Sequence, residues 1–143
     1  MLFFFYGTLV AGSVNATAQA VHRRLRPLGA ATARGRLHAI GDPAGWYPAL
    51  TPGDDAVHGR LYETLPTFDA AALAALDAYE NFDPAQPDAS DYLRRGLRVR
   101  DDDGHTRMAQ AYLWRPPIPA NAREVPGGDF AAWIARNGLP AYR

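Results

Sequence analysis

The sequence predicts an α+β fold with a curved or barrel-like sheet, and three observations carry that reading. Period-two alternation recurs in separated groups, without the regular strand-helix alternation of a doubly wound sheet. An aromatic run at the start of the chain, "LFFFY", stops at a glycine. One strongly helical segment, "FDAAALAALDAYEN", stands between stretches rich in Gly and Pro. The count comes to about five or six strands and two or three helices.

Taken in order, residues 2–6 read as a buried strand. Gly12, Ser13 and Asn15 form a small polar stretch after it. "ATAQAVHRRL" then reads as a helix, capped by Ser13 or Asn15 and ended by Pro27. "GAATARGRLHAIG" is extended, because Arg34, Arg36 and His38 alternate with small or apolar residues. "DPAGWYPALTPGDD" is dense in Gly and Pro and reads as a loop. Val57 to Glu63 alternates again and reads as a strand. Pro66 and Thr67 open the mid-chain helix, with Thr67 or Asp69 as its cap and Asn81 near its end. A Pro-rich loop, "DPAQPDASD", precedes a hairpin over residues 93–115 that turns at Asp101 to Gly104. "PPIPANAREVPGG" is irregular, and "DFAAWIARNG" closes as a short helix.

At 143 residues the chain is expected to be a single domain, residues 1–143. Its formal net charge is zero, which removes the electrostatic case for nucleic acid or an anionic membrane as partner. All 15 basic residues are arginine, so lysine Schiff bases and the P-loop lysine are excluded. Without cysteine there are no disulfides, thiolate nucleophiles or thiolate metal ligands. The opening run lacks a basic flank and is too short to span a membrane, so the expected compartment is the cytoplasm. His22, His38, His58 and His105 are scattered, which gives no metal-ligand spacing. No Gly-Xaa-Ser-Xaa-Gly element marks a serine nucleophile. Asp101 to Asp103 lacks calcium-loop spacing and reads as a solvated turn. Trp46, Trp114 and Trp133 read as core or rim residues.

Two features point to chemistry. On a helical wheel with Leu73 at zero, Leu76 falls at about 300° and Glu80 at about 340°. Glu80 thus shares the apolar stripe, while Asp77, near 40°, sits at its edge and within reach of solvent. Burial disfavours an ionised carboxyl and raises its pKa, which is the tuning a general acid/base needs near neutral pH. Structural carboxylates paired with arginine occupy such positions too. The second feature is Tyr6-Gly7-Thr8-Leu9, where the first strand ends. Its successive amides are suited to an anion or a carbonyl oxygen, and Gly7 permits close backbone approach. An ordinary turn would have the same composition.

These residues resemble the gamma-glutamylcyclotransferase-like family. The match runs through "FFYGTLVAGSVN" (4–15), "ARGRLHAIGDPAGWYPAL" (33–50), "VHGRLYET" (57–64), "LDAYENFDP" (76–84), "YLRR" (92–95), "AYLW" (111–114) and "PGGDF" (126–130). The resemblance implies a small mixed β-barrel, about five to seven strands, flanked by two or three helices. It implies that the backbone of Tyr6, Gly7, Thr8 and Leu9 binds a glutamyl group and that Glu80 is the catalytic acid/base. The implied reaction is release of 5-oxoproline from a small-molecule γ-glutamyl substrate, with no metal or organic cofactor. Arg94 is expected to pair with a substrate carboxylate or with Glu80, and Tyr112 to lend its hydroxyl to Glu80; Tyr92 is a further candidate. Asn81 stands where many relatives carry glycine. The alternative is a non-catalytic domain of the same fold that binds a glutamyl-like ligand. The amine half of the substrate and the oligomeric state stay open at this point.

Overall fold

The computed structural model describes residues 1–9 and 15–142. Gly12 and Ser13, the latter an alternative cap for the first helix, lie outside them. The described elements are β1 (Leu2–Phe5), α1 (Ala16–His22), β2 (Leu25–Asp42), β3 (Gly45–Thr64), α2 (Ala70–Tyr79), β4 (Tyr92–Asp101), β5 (Thr106–Trp114), β6 (Arg123–Glu124) and α3 (Phe130–Arg136), with a short 3-10 turn at Pro87–Ala89. Strands run in the order β3-β1-β5-β4-β2-β6, and β2 also pairs with β3. That extra pairing closes a five-strand barrel and leaves β6 as an appendage on β2. β1 and β5 are parallel, Phe3 opposite Gln110, while the other pairings are antiparallel. The barrel is therefore mixed, and its closure leaves few exposed edges.

β1 shows how a short strand serves two cores. Phe4 joins Leu37, Leu50, Val57, Leu61 and Val99 in one buried cluster, which α3 covers with Phe130 and Trp133. Phe3 and Phe5 point the other way and pack with Val21, Leu25, Tyr62, Leu76 and Tyr112 in a second cluster, which α1 and α2 cover. Successive strand side chains face opposite sides of a sheet, so a run of three phenylalanines feeds both clusters.

Two expectations need correction. The segment 42–55, expected to be a loop, is largely strand, paired with β2 from Asp42–Gly45 outward. The reversal itself takes only Pro43 and Ala44, where the Asp42 carboxylate accepts from the Ala44 amide at 2.9 Å. Gly45, at φ +126°, completes it; a Cβ there would lie 2.5 Å from the Ala141 carbonyl oxygen. Pro48, Ala49 and Leu50 are all buried, so the alternation that marks a half-exposed strand is missing. Pro52 to Asp54 do leave the ladder, which steps from Gly35–Asp55 to Arg36–Thr51.

The first helix is also shorter than expected. It is capped by Asn15, whose side chain accepts from the amides of Thr17 and Ala18, and it ends at His22. The chain is in β2 by Leu25, and Pro27 lies within that strand beside a register irregularity. Among the described residues no helix is long and apolar enough to cross a membrane.

Candidate active site

The loop at the exit of β1 is held by its neighbours at four successive residues. The Tyr6 hydroxyl donates to the backbone carbonyl of Tyr112. Gly7 lies against Pro48, so closely that a Cβ would sit 2.2 Å from Pro48 Cγ. Glycine is required here by the proline ring, since any side chain would displace it. Thr8 Oγ1 accepts from the Tyr79 hydroxyl at 3.3 Å. His22 Nε2 donates to the Leu9 carbonyl at 2.5 Å, which ties the loop to α1. Among the described residues no hydrogen bond engages the amides of Gly7, Thr8 or Leu9.

Facing this loop is the end of α2. Asp69 caps the helix start by accepting from the Ala72 amide at 2.8 Å. At the other end the Phe82 amide bonds to the Asp77 carbonyl and the Asn81 amide to that of Ala78. That pattern requires a left-handed residue at Asn81, which has φ +53°. Asparagine tolerates the conformation and here its Nδ2 donates to Asp91 Oδ2 at 2.7 Å. Position 81 is therefore one that glycine would also satisfy. The result fixes Glu80, the last residue before the reversal, at the mouth of the helix.

Glu80 and all four loop residues Tyr6, Gly7, Thr8 and Leu9 line one pocket of about 380 Å³. Glu80 is half-buried, and among the described residues its carboxyl has no ion-pair or hydrogen-bond partner. Burial pushes that carboxyl up from 4.5 to about 8. Six of the seven tyrosines line the same pocket: Tyr6, Tyr47, Tyr79, Tyr92, Tyr112 and Tyr142. Burial pushes the phenols of Tyr6, Tyr47, Tyr79, Tyr92 and Tyr112 upward, so they stay neutral. The Tyr92 hydroxyl donates to the Pro48 carbonyl at 2.5 Å, bracing the residue that Gly7 touches. The charged residues of the lining are Asp42, Glu80 and Asp91, all acidic.

Asp77, expected at the solvent edge, is buried at 4% exposure. Its Oδ1 accepts from Arg94 Nε at 2.9 Å and from the Tyr112 hydroxyl at 2.6 Å. Arg94 Nη2 reaches Oδ2 at 3.4 Å, and Arg94 Nη1 donates to Gln110 Oε1 at 3.2 Å. The bond to Asp77 raises the Arg94 guanidinium further above its ordinary value. Arg94 thus engages Asp77, is not among the residues lining the pocket, and leaves Glu80 alone. Tyr112 does line the pocket, with its hydroxyl proton given to Asp77. The wheel places Asp77 outward because it knows nothing of the β4–β5 hairpin packed beside α2. Tyr47, Tyr142, Asp42 and Asp91 also lie beyond sequence reasoning; they arrive from segments distant in the chain.

Among the described residues, one group of side chains brings metal-ligating atom types together, Asp101, Asp103 and His105 at the β4–β5 turn. Asp101 Oδ1 accepts from the amides of Asp103 and His105, and Asp103 and His105 are exposed. These bonds are those of a hairpin turn.

The model of the family described as gamma-glutamyl cyclotransferase, AIG2-like, matches residues 3–132. Among solved structures, YkqA from Bacillus subtilis is similar over 96% of this chain and 42% of its own, at 21% identity and TM-score 0.67. The chain thus spans less than half the length of that protein. The ytfP protein of Escherichia coli is similar over 96% of this chain and 99% of its own, at 24% identity and TM-score 0.60. A protein named gamma-glutamyl cyclotransferase is similar over 98% of this chain and 81% of its own, at 17% identity and TM-score 0.60. At these identities the likeness is one of fold. No curated protein matches the chain by sequence.

Proposed function

The chain belongs to the gamma-glutamyl cyclotransferase, AIG2-like family, and we propose that it releases 5-oxoproline and an amine from a γ-glutamyl amide. The observation that carries this reading is Glu80: a desolvated carboxyl, without a partner among the described residues, opening on the same pocket as the exit loop of β1. In the proposed reaction the substrate's α-amine attacks its own γ-carbonyl. The N–C bond closes a five-membered lactam, a tetrahedral oxyanion forms, and the amide C–N bond breaks. Tethering supplies most of the orientation, so the protein's task is proton transfer and charge stabilisation.

Glu80 takes a proton from the α-ammonium group so that the amine can attack and returns it to the departing nitrogen. The second proton, lost as the lactam nitrogen forms, leaves with the product amine as its ammonium. A carboxyl pushed up to about 8 is a stronger base than an ordinary glutamate, which favours taking a proton from the α-ammonium group. The amides of Gly7, Thr8 and Leu9, unengaged among the described residues, hold an anionic oxygen, either the substrate carboxylate or the oxyanion. The acidic lining bears on the amine half. Asp42 and Asp91 both disfavour ionisation of the Tyr47 phenol, so their charges sit together at that side of the pocket. A leaving amine without a carboxylate suits these surroundings better than an α-amino acid.

The test is incubation of purified protein with a panel of γ-glutamyl amides, with 5-oxoproline read by mass spectrometry. Turnover by the wild type and a loss of about 10²–10⁴-fold in Glu80→Gln are expected. Undiminished turnover by a folded Glu80→Gln protein removes Glu80 from the mechanism. Binding without turnover across the panel favours the non-catalytic domain.

A further inference from the structure

Among the described residues the proposed reaction leaves one buried carboxyl unused. Asp77 lies three residues before Glu80 on the same helix and is closed off from solvent. Three donors converge on its two oxygens: Arg94 Nε, Arg94 Nη2 and the Tyr112 hydroxyl. Arg94 is itself held by Gln110 Oε1 and lies 6.0 Å over the Phe82 ring, which leaves the guanidinium little freedom. The Tyr112 main chain is fixed independently, because its carbonyl accepts from the Tyr6 hydroxyl.

A tyrosine hydroxyl has one proton and two lone pairs. At Tyr112 the proton is committed to Asp77 at 2.6 Å, so toward the pocket the oxygen can only accept. An acceptor beside Glu80 suits a group with several N–H bonds, one for the tyrosine and one for the base. In the reaction read above, that group is the substrate's α-ammonium.

Resting on that reading, we infer that Asp77 is a positioning residue: by taking the Tyr112 hydroxyl proton, it makes the Tyr112 oxygen a fixed acceptor for the α-ammonium group of the substrate. Arg94 completes the device by holding the Asp77 carboxylate in place. Neither Asp77 nor Arg94 touches substrate.

The experiment uses ligands that undergo no chemistry. L-glutamate carries the α-ammonium and α-carboxylate; glutarate lacks the ammonium. Calorimetry is run on the wild type, Asp77→Ala, Tyr112→Phe and the double variant, with Asp77→Leu guarding against collapse of an emptied site. Wild type is expected to bind L-glutamate tighter than glutarate. Each single variant is expected to lose about tenfold toward L-glutamate, the scale of one hydrogen bond to a charged group. The double variant should lose no more than either single one, and glutarate binding should not move. Asp77→Asn keeps an acceptor oxygen and should recover most of the affinity.

Losses that multiply in the double variant overturn the inference, as does an equal loss toward glutarate, since a structural disturbance spares neither ligand. A wild type that does not prefer L-glutamate overturns it as well. These outcomes are separate from the Glu80→Gln turnover test, whose failure would sink the reaction and leave the binding cycle to be read by itself.

Discussion

Asp77 and Glu80 leave the same helix one turn apart and enter opposite surroundings. On one side three donors converge on a carboxylate. On the other a carboxyl faces a pocket with no partner among the described residues. Asp77 is buried and Glu80 half-buried, and burial pushes the Glu80 carboxyl up to about 8. The difference teaches that the helix alone does not set a carboxyl's surroundings; what packs beside each turn does. Asp77, with an arginine and a phenol on it, ties the helix to the β4–β5 hairpin; Glu80 keeps its carboxyl open to the pocket.

The widest separation between the two sides should appear in stability. Asp77→Ala leaves Arg94 without its carboxylate inside the fold and is expected to cost about 3–5 kcal/mol, read by chemical denaturation. Glu80→Gln removes no partner. Because the folded-state value of Glu80 lies above its ordinary one, its stabilising contribution is complete below pH 4.5 and is lost as pH rises toward 8. The wild type should therefore lose about 1.4 kcal/mol per pH unit across that window relative to Glu80→Gln. Parallel curves for the two proteins would show that Glu80 carries no such penalty.

The comparison sharpens further at the residues that shape the Glu80 side. Gly7→Ala places a Cβ 2.2 Å from Pro48 Cγ, and the loop or the proline must move. A cost of about 1–3 kcal/mol and a higher KM are expected. Substitutions at Asn81 should have the smallest effects. Asn81→Ala forces alanine to φ +53° and should cost about 1–2 kcal/mol. Asn81→Gly removes that strain and the bond to Asp91 together, and is expected to change stability by less than about 0.5 kcal/mol.

Both halves of the Glu80 side are legible in the sequence, for local reasons. A strand that stops at Gly7, and an acid on the apolar stripe of a helix, need only neighbours within one element to be noticed. The Asp77 side is not legible, because its partners sit on β4 and β5 and face α2 only once the barrel closes. The tyrosine wall is hidden for the same reason, with Tyr47 and Tyr142 brought together at 5.6 Å from distant parts of the chain. The first half of β3 misleads for another reason. Its prolines and glycines have the composition of a loop, while Pro48 serves as the wall that Gly7 packs on and Pro52 falls in a bulge. The alternating segments, the 93–115 hairpin and the closing helix follow period and capping rules that hold without tertiary context.

The account rests on the protonation of one side chain, and the most direct measurement is a titration of Glu80 by ¹³C NMR of glutamate-labelled protein, assigned with Glu80→Gln. The account predicts a midpoint near 8, with the resonance still that of a protonated carboxyl at pH 6. A midpoint near 4.3, the value of a freely solvated glutamate, would contradict it.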